Sequence, residues 1–406
     1  MFRKELNAGY GAGKTVHNPG CENGAGTLVP AFSPKISIGA LPRAREERDM
    51  TGTGRKVLLV LAAVFFLGTL AAAPGAAFEF KKEYKMQLNV GPTFYWGMGA
   101  TKFAELVKEK TGGRMNVKPY YSSQLLKGAQ LQAAQLVATG VIDCALESTI
   151  NISPVIPECN VFSLPFFINN FENLDKMKAG ETGKAIFEAM AKKGLHPLDW
   201  GENGFRQVTN STRDIRRPED MKGLKLRVVV SPIFIDIYRQ LGADPVNMNW
   251  GDAVTAFQQG VVDGQENPVG VLIPVQIWQY HKYATFWNYL VDPLIFYWNQ
   301  KEWNSFPEDI KEAIREAAAE AGRFEIALSR AGLDGDKSIN ILKDEFDHTM
   351  EYPEPVKFME SKGMTVTFLT DDDVAAFEEA TKPVLDKWVK QIGEDIYLKA
   401  RSDMGK

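Results

Sequence analysis

The chain has 406 residues, 45% of them hydrophobic and 24% charged, with a formal net charge of −4. At about 100 to 200 residues per domain this length suggests two lobes rather than one small core, and the composition is that of an ordinary globular protein. Residues 1–77 hold 9 basic and 5 acidic side chains, so the remainder stands at −8, a balance that argues against nucleic acid or anionic lipid as a partner.

The N-terminal stretch reads as an address. From Met50 a basic pair, Arg55-Lys56, precedes an apolar run from Val57 to Leu70 and then small residues ending at Ala77. This is the three-part layout of a secretory signal peptide, and an apolar core of about 14 residues is short for a membrane span. Residues 50–77 are therefore expected to be a leader cleaved near Ala77, with an uncleaved anchor as the competing reading. Residues 1–49 show no helical or strand period and are expected to be a non-native upstream extension. Within them Gly9 to Thr15, GYGAGKT, imitates a phosphate loop but has three residues where that loop needs four, and no strand leads in. Export permits a disulfide between Cys144 and Cys159, while the apolar setting of Cys144 suits a buried thiol.

The rest alternates strand and helix with short joints, which predicts an α/β layout with a largely parallel sheet. Expected in order are a strand over Tyr84–Val90, a helix closed by Gly112, a strand MNVKPYY, a helix from Leu125 to Gly140, and a strand ending in Glu147-Ser148. A helix Leu174–Lys193 leads to a strand ending near Phe205, where the chain is expected to cross into a second lobe. That lobe repeats the pattern with strand Leu224–Val230, helix Pro232–Leu241, helix Trp250–Gln259 and strand Val261–Asp263. Residues 285–306 read as strands returning to the first lobe. Pro307-Glu308-Asp309 then opens a helix, which could run on to Met350 and exceed about 40 Å at 1.5 Å per residue, enough to span both lobes. The expected division is 78–204 with 291–332 in lobe I, and 205–290 with 333–406, including the C-terminal helices, in lobe II.

Ligands of open α/β sheets bind beyond the carboxyl ends of strands. Glu147, Arg206, Arg227 and Asn267 all fall there on this reading. Arg227 lies inside an apolar strand, where a charge that cannot shed its proton needs a partner, and an anion fits. Trp250 follows a polar loop, and with Asn267 it completes a cation, a flat aromatic and an amide on successive segments, a combination suited to a small organic acid.

Several stretches together resemble one family. FAELVKEKTGGRM, SSQL, ALES, VFSLPFF, GFRQVTN, KGLKLRVVVSP and above all FQQGVVDGQENP are similar to the dicarboxylate-binding type of solute-binding subunit in tripartite ATP-independent periplasmic (TRAP) transporters. The resemblance implies a two-lobed periplasmic-binding-protein fold with a ligand cleft between the lobes. It also implies closure on the ligand and delivery to two integral membrane subunits, with an ion gradient driving uptake. It matches Arg227 to the arginine that pairs with the ligand carboxylate, Arg206 to the second arginine, Trp250 to the aromatic of the following loop, Asn267 to the amide and Glu147 to the acid of the ALES strand.

Phe94, Tyr95, Trp96, Trp200, Phe205 and Trp250 all fall near strand ends, so an aromatic monocarboxylate is the expected ligand, with a small dicarboxylate or sugar acid next; Tyr95 and Trp96 join the expected site on this ground. Gln265 and Glu266 supply two oxygen donors, too few to define a cation site, and no metal or cofactor is expected. Catalysis is not expected either: there is no G-x-S-x-G elbow, and His196, His281 and His348 are widely separated. A sensor subunit, or an exported hydrolase, is the alternative to a monomeric periplasmic transport subunit.

Overall fold

The computed structural model describes residues 78–406; the expected extension and leader lie outside them. The described chain opens with β1 (Tyr84–Gln87), α1 (Tyr95–Lys110) and β2 (Val117–Tyr120), and, after two short 3-10 turns, α2 (Ala133–Ala138) and β3 (Cys144–Ser148). There follow α3 (Thr149–Ile152), α4 (Phe171–Ala179), α5 (Glu181–Lys192) and the long strand β4 (Leu195–Asn210). The second half begins with β5 (Lys225–Val228), α6 (Pro232–Gln240), β6 (Asp244–Asn247), α7 (Trp250–Gln258), β7 (Gly264–Pro268), α8 (Val269–Leu272) and β8 (Tyr283–Phe286). It closes with β9 (Val291–Asn299), α9 (Gln300–Ser305), α10 (Glu308–Arg330), α11 (Lys337–Phe346), α12 (Pro355–Ser361), β10 (Thr365–Phe368), α13 (Asp371–Ile392) and α14 (Glu394–Asp403).

The strands lie in the order β2-β1-β3-β9-β4-β7-β5-β6, with β8 on β4 and β10 on β8. Strand β4 joins the two halves. Its residues up to Phe205 pair antiparallel with β9, and from Arg206 onward it pairs with β7. The pairs at the two ends, β1 with β2 and β3, and β5 with β6 and β7, are parallel, as expected of βαβ units, but β9 and β4 pair antiparallel with all their neighbours, so the sheet is mixed and not largely parallel. Strand β9 lies between β3 and the sixteen-residue β4, so all nine of its residues are buried and it reads as a nearly continuous apolar run.

Helix α10 packs across β4 and α1. Its 23 residues make about 35 Å. It does not continue to Met350: Gly332 turns left-handed at φ +72°, with Pro353 packed against it, and α11 starts a separate helix. Arg330 fixes the end of α10 onto β4, donating from Nε to Glu202 at 2.9 Å and from both terminal nitrogens to Asp175. Other expectations shift for local reasons. The stretch expected as one helix from Leu125 is broken by left-handed backbone at Lys127 and Gly128 and becomes α-helical only at Ala133. Leu174–Lys193 is two helices broken at Gly180, where Asp403 of α14 occupies the space a side chain would need and caps α5 through Glu181 N, Thr182 N and the Thr182 hydroxyl. The last helix therefore packs on α4 and α5, and α13 packs on α6, where Asp236 accepts from Trp388 at 2.7 Å. The expected strand Val261–Asp263 is a turn, and the strand begins at Gly264, so Asn267 lies inside β7. Cys144 and Cys159 are separate buried thiols.

The close approach of α10 to β4 depends on Gly322, where an added Cβ would sit 2.4 Å from the Trp200 carbonyl oxygen. Two effects oppose each other in Gly322→Ala. Alanine favours an isolated helix by about 1 kcal/mol, whereas forcing packed elements apart costs about 1 to 3 kcal/mol. Net destabilisation is expected in denaturant unfolding, and a stabilised variant would contradict this packing.

Candidate functional site

Each strand that reaches the centre contributes a polar side chain on the face opposite its core residues. In β5, Leu226 and Val228 are fully buried in the apolar core and Arg227 between them points the other way. Arg206 opens the part of β4 that pairs with β7, where Gln207 lies opposite Asn267. These side chains meet α1, the 3-10 turn at Gln130 and the N-terminus of α7 around a cavity lined by Asn89, Trp96, Gln130, Ser148, Asn151, Asn203, Arg206, Arg227, Trp250, Asn267 and Asp292. The space open to a water-sized sphere is about 40 Å³; a single water needs roughly 10 to 15 Å³ on that measure.

The two arginines are bound differently. Arg206 is 3% exposed and paired with two carboxylates: Glu266 takes Nε and Nη2, the latter at 2.9 Å, Asp292 accepts from Nη1 at 3.1 Å, and Asn267 Oδ1 accepts from Nη2 at 2.9 Å. Burial opposes its charge, but the Glu266 carboxylate reverses that effect and leaves the guanidinium more firmly protonated than usual. Arg227, 2% exposed, donates from Nε at 3.1 Å and from Nη2 at 2.7 Å to one acceptor, the Met248 carbonyl oxygen. Among the described residues no carboxylate lies within ion-pairing distance of it. Desolvation pulls its pKa down to about 10, so it remains charged at neutral pH. The Trp250 ring stands 5.6 Å from its guanidinium carbon, and cation–π contact offsets part of the missing counter-charge.

Around these cations the donors and acceptors are partly used. Asn267 donates to Gln265 and accepts from Arg206. Asp292 accepts from Ser148 Oγ at 2.6 Å and Asn203 Nδ2 at 2.8 Å, and burial raises its pKa. The Trp96 indole N–H is held by the Leu146 carbonyl at 2.9 Å, so that residue presents ring surface to the cavity. Of the expected site residues, Arg227, Arg206, Asn267, Trp250 and Trp96 line one cavity. Glu147 and Tyr95 do not.

Glu147 lies behind the wall, fully buried, accepting from Asn89 Nδ2, Ser148 N and Asn151 Nδ2. Burial raises its pKa to about 8 against those donors, so it holds a proton at neutral pH. Tyr95, one residue before Trp96, does not line this cavity; it lies against Gly270, between a small adjoining pocket shared with Trp96 and Asn203 and a larger groove with Met98, Trp278 and Tyr352. The expected aromatic wall is assembled only in part: Trp96 and Trp250 line the cavity and Phe94 packs against Trp250, whereas Trp200 packs on Phe162 and Phe187 and Phe205 on Phe171. Sequence reasoning missed Asp292, Asn203, Asn89, Asn151 and Gln130. Asp292 carried the same signal that picked out Arg227, a charge inside an apolar strand.

The family follows from direct comparison. Residues 87–343 match the family model DctP, bacterial extracellular solute-binding protein, family 7, and the chain belongs to this family of TRAP solute-binding proteins for organic acids. It is 45% identical to a TRAP periplasmic solute-binding protein from Ralstonia eutropha solved with bound (S)-2-hydroxy-2-methyl-3-oxobutanoate, with a TM-score of 0.75 over 80% of this chain and 99% of that one. It is 31% identical over 310 residues to the C4-dicarboxylate-binding periplasmic protein DctP of Rhodobacter capsulatus, covering 75% of this chain and 86% of the relative. A TRAP periplasmic solute-binding protein from Sulfurospirillum deleyianum with bound succinate is 26% identical, with a TM-score of 0.68 over 79% of this chain and 98% of that one. Proteins of this family are binding components of transport, working with TRAP membrane subunits.

Glu147 makes stability depend on pH with a definite sign. Its folded pKa of about 8 lies above the ordinary carboxyl value of 4.5, so from pH 4.5 to 8 the folded state holds a proton that the unfolded state has released. Stability then falls as pH rises through that window, by up to about 1.4 kcal/mol per unit for this group. Glu147→Gln should flatten the fall between pH 5 and 8 in denaturant titrations; equal slopes in both proteins would rule it out.

Proposed function

We propose that the chain captures a compact branched 2-hydroxy or 2-oxo monocarboxylate, of the class of (S)-2-hydroxy-2-methyl-3-oxobutanoate, and delivers it to two integral membrane subunits. The observation that carries the reading is Arg227, a buried guanidinium with one carbonyl partner and a face open to the cavity. A ligand carboxylate supplies the missing charge. Charge-assisted hydrogen bonds are worth about 1.5 to 3 kcal/mol each, enough to draw the acid from water. Asn267, Asn203 and Asp292 then offer donors and acceptors to its hydroxyl and oxo groups, while Trp96 and Trp250 cover its carbon body.

Trp200 and Phe205, two of the aromatics that suggested an aryl or indole acid, are packed into the core, which leaves less aromatic surface for such a ligand. The bound acid of the 45% identical Ralstonia protein supports the same choice. A second carboxylate, as in succinate, lacks a second cation, because Arg206 is already neutralised by Glu266 and Asp292.

The reading includes two lobes, 78–204 with 291–332 and 205–290 with 333–406, hinged where β4 exchanges β9 for β7 between Phe205 and Arg206. Helix α14, which packs on α4 and α5, then ties the end of the chain back to the first lobe. The protein acts as a monomer, without turnover of its ligand, in the periplasm after removal of the leader near Ala77.

Calorimetric titration tests the reading. (S)-2-hydroxy-2-methyl-3-oxobutanoate should bind more tightly than succinate, galacturonate or an indole-ring acid. Arg227→Ala should weaken binding at least 100-fold, and Arg227→Lys at least ten-fold, because an ammonium cannot engage a carboxylate through two parallel bonds. Unchanged affinity in Arg227→Ala would assign the carboxylate elsewhere, and tighter binding of the indole acid would restore the aromatic class.

A further inference from the structure

Gln130 makes a hydrogen bond whose partner lies on the other side of the cavity. It belongs to the 3-10 turn that leads into α2 beside β3, yet its side-chain oxygen accepts from the backbone N–H of Trp250 at 2.8 Å. Trp250 is the first residue of α7, in the half built on β5, β6 and β7. The N-cap residue of that helix, Asn249, makes no capping bond with its own side chain, so one of the helix's free N–H groups is met by a residue from the opposite half.

The amide orientation is fixed by chemistry. A backbone N–H only donates, so Gln130 turns its oxygen to Trp250 and its nitrogen to Asn151 Oδ1, at 3.1 Å. Asn151 in turn points Nδ2 at Glu147 Oε1, at 2.8 Å, and Glu147 is held by Asn89 and Ser148 N. Gln130 is 4% exposed. It is thus held pointing across the cavity by a buried relay anchored on β3, and Trp250 packs against apolar residues of both halves.

We propose that Gln130 is a cross-cleft latch: it caps α7 only when the two halves are closed over the ligand, and so governs how slowly the ligand leaves. Opening the cleft separates the Gln130 oxygen from the Trp250 N–H. The same step uncaps α7 at Trp250, whose ring stands over the Arg227 guanidinium, so the latch acts beside the carboxylate clamp. Gln130 is a positioning residue in this account, acting through Trp250. The inference rests on the ligand occupying this cavity.

The test combines kinetics with amide exchange on residues 78–406, using (S)-2-hydroxy-2-methyl-3-oxobutanoate as the probe. Gln130→Met keeps the volume and removes the acceptor. Its dissociation rate should rise about ten-fold, the factor that one net hydrogen bond near the top of its usual range carries, with the association rate within about two-fold. In the wild-type protein the Trp250 amide should gain protection from hydrogen exchange when ligand is added, and in Gln130→Met it should not. The wild-type exchange measurement needs no variant and decides the matter if Gln130→Met does not fold. An unchanged dissociation rate, or a Trp250 amide equally protected with and without ligand, overturns the latch. Absence of any wild-type binding to this acid would instead remove the ligand reading, and the latch with it.

Discussion

The structure depends on the placement of one buried positive charge that the protein itself does not balance. Two guanidinium groups reach the same cavity, and the surrounding residues supply two carboxylates, both of which go to Arg206. Arg227 is left with a carbonyl oxygen and the face of Trp250. Burying an uncompensated charge costs several kcal/mol, and a stable fold retains such a charge where a ligand removes the cost. The asymmetry sorts the two arginines into different work. Arg206 knits β4 to β7 and to Asp292 of β9 at the point where the strand passes from one half to the other. Arg227 remains available to an anion.

The frame that holds this charge is built from unbroken strands. Strand β4 runs from the centre of one half into the other, so Arg206 and Asn203 sit next to the exchange of partners and their positions are coupled to it. Helix α10, clasped to β4 at Gly322 and Arg330, stiffens the same crossing. Behind the cavity wall lies Glu147, a buried carboxyl whose pKa burial raises and whose bonds orient its neighbours: it holds Asn89 and Asn151, and through Asn151 it holds Gln130. Polar residues on this wall therefore contribute through their connections as much as through contact with a ligand.

Much of this was legible in the sequence. The α/β alternation follows from periodicity, Arg227 from a charge in an apolar run, Arg206 and Asn267 from their places at strand ends, and Trp250 and Trp96 from aromatics next to such ends. Tyr95 lies about 100° around the helix from Trp96, so it misses the cavity at Arg227 and meets Trp96 only in the small pocket beside it. The aromatic wall went astray because proximity to strand ends does not distinguish a cavity residue from one packed into the core, as Trp200 and Phe205 are. Glu147 was placed at the right strand end, but the strand's last turn of alternation directs it behind the wall. Gln130 was out of reach: its position depends on left-handed backbone at Lys127 and Gly128, where the sequence pattern reads as continuous helix.

A crystal structure of residues 78–406 with (S)-2-hydroxy-2-methyl-3-oxobutanoate tests the central claim most directly. The account predicts the carboxylate on Arg227, its oxygens about 2.7 to 2.9 Å from the guanidinium nitrogens, with the Arg206 bonds to Glu266 and Asp292 intact. A carboxylate bound instead by Arg206, with Glu266 or Asp292 displaced, would contradict it.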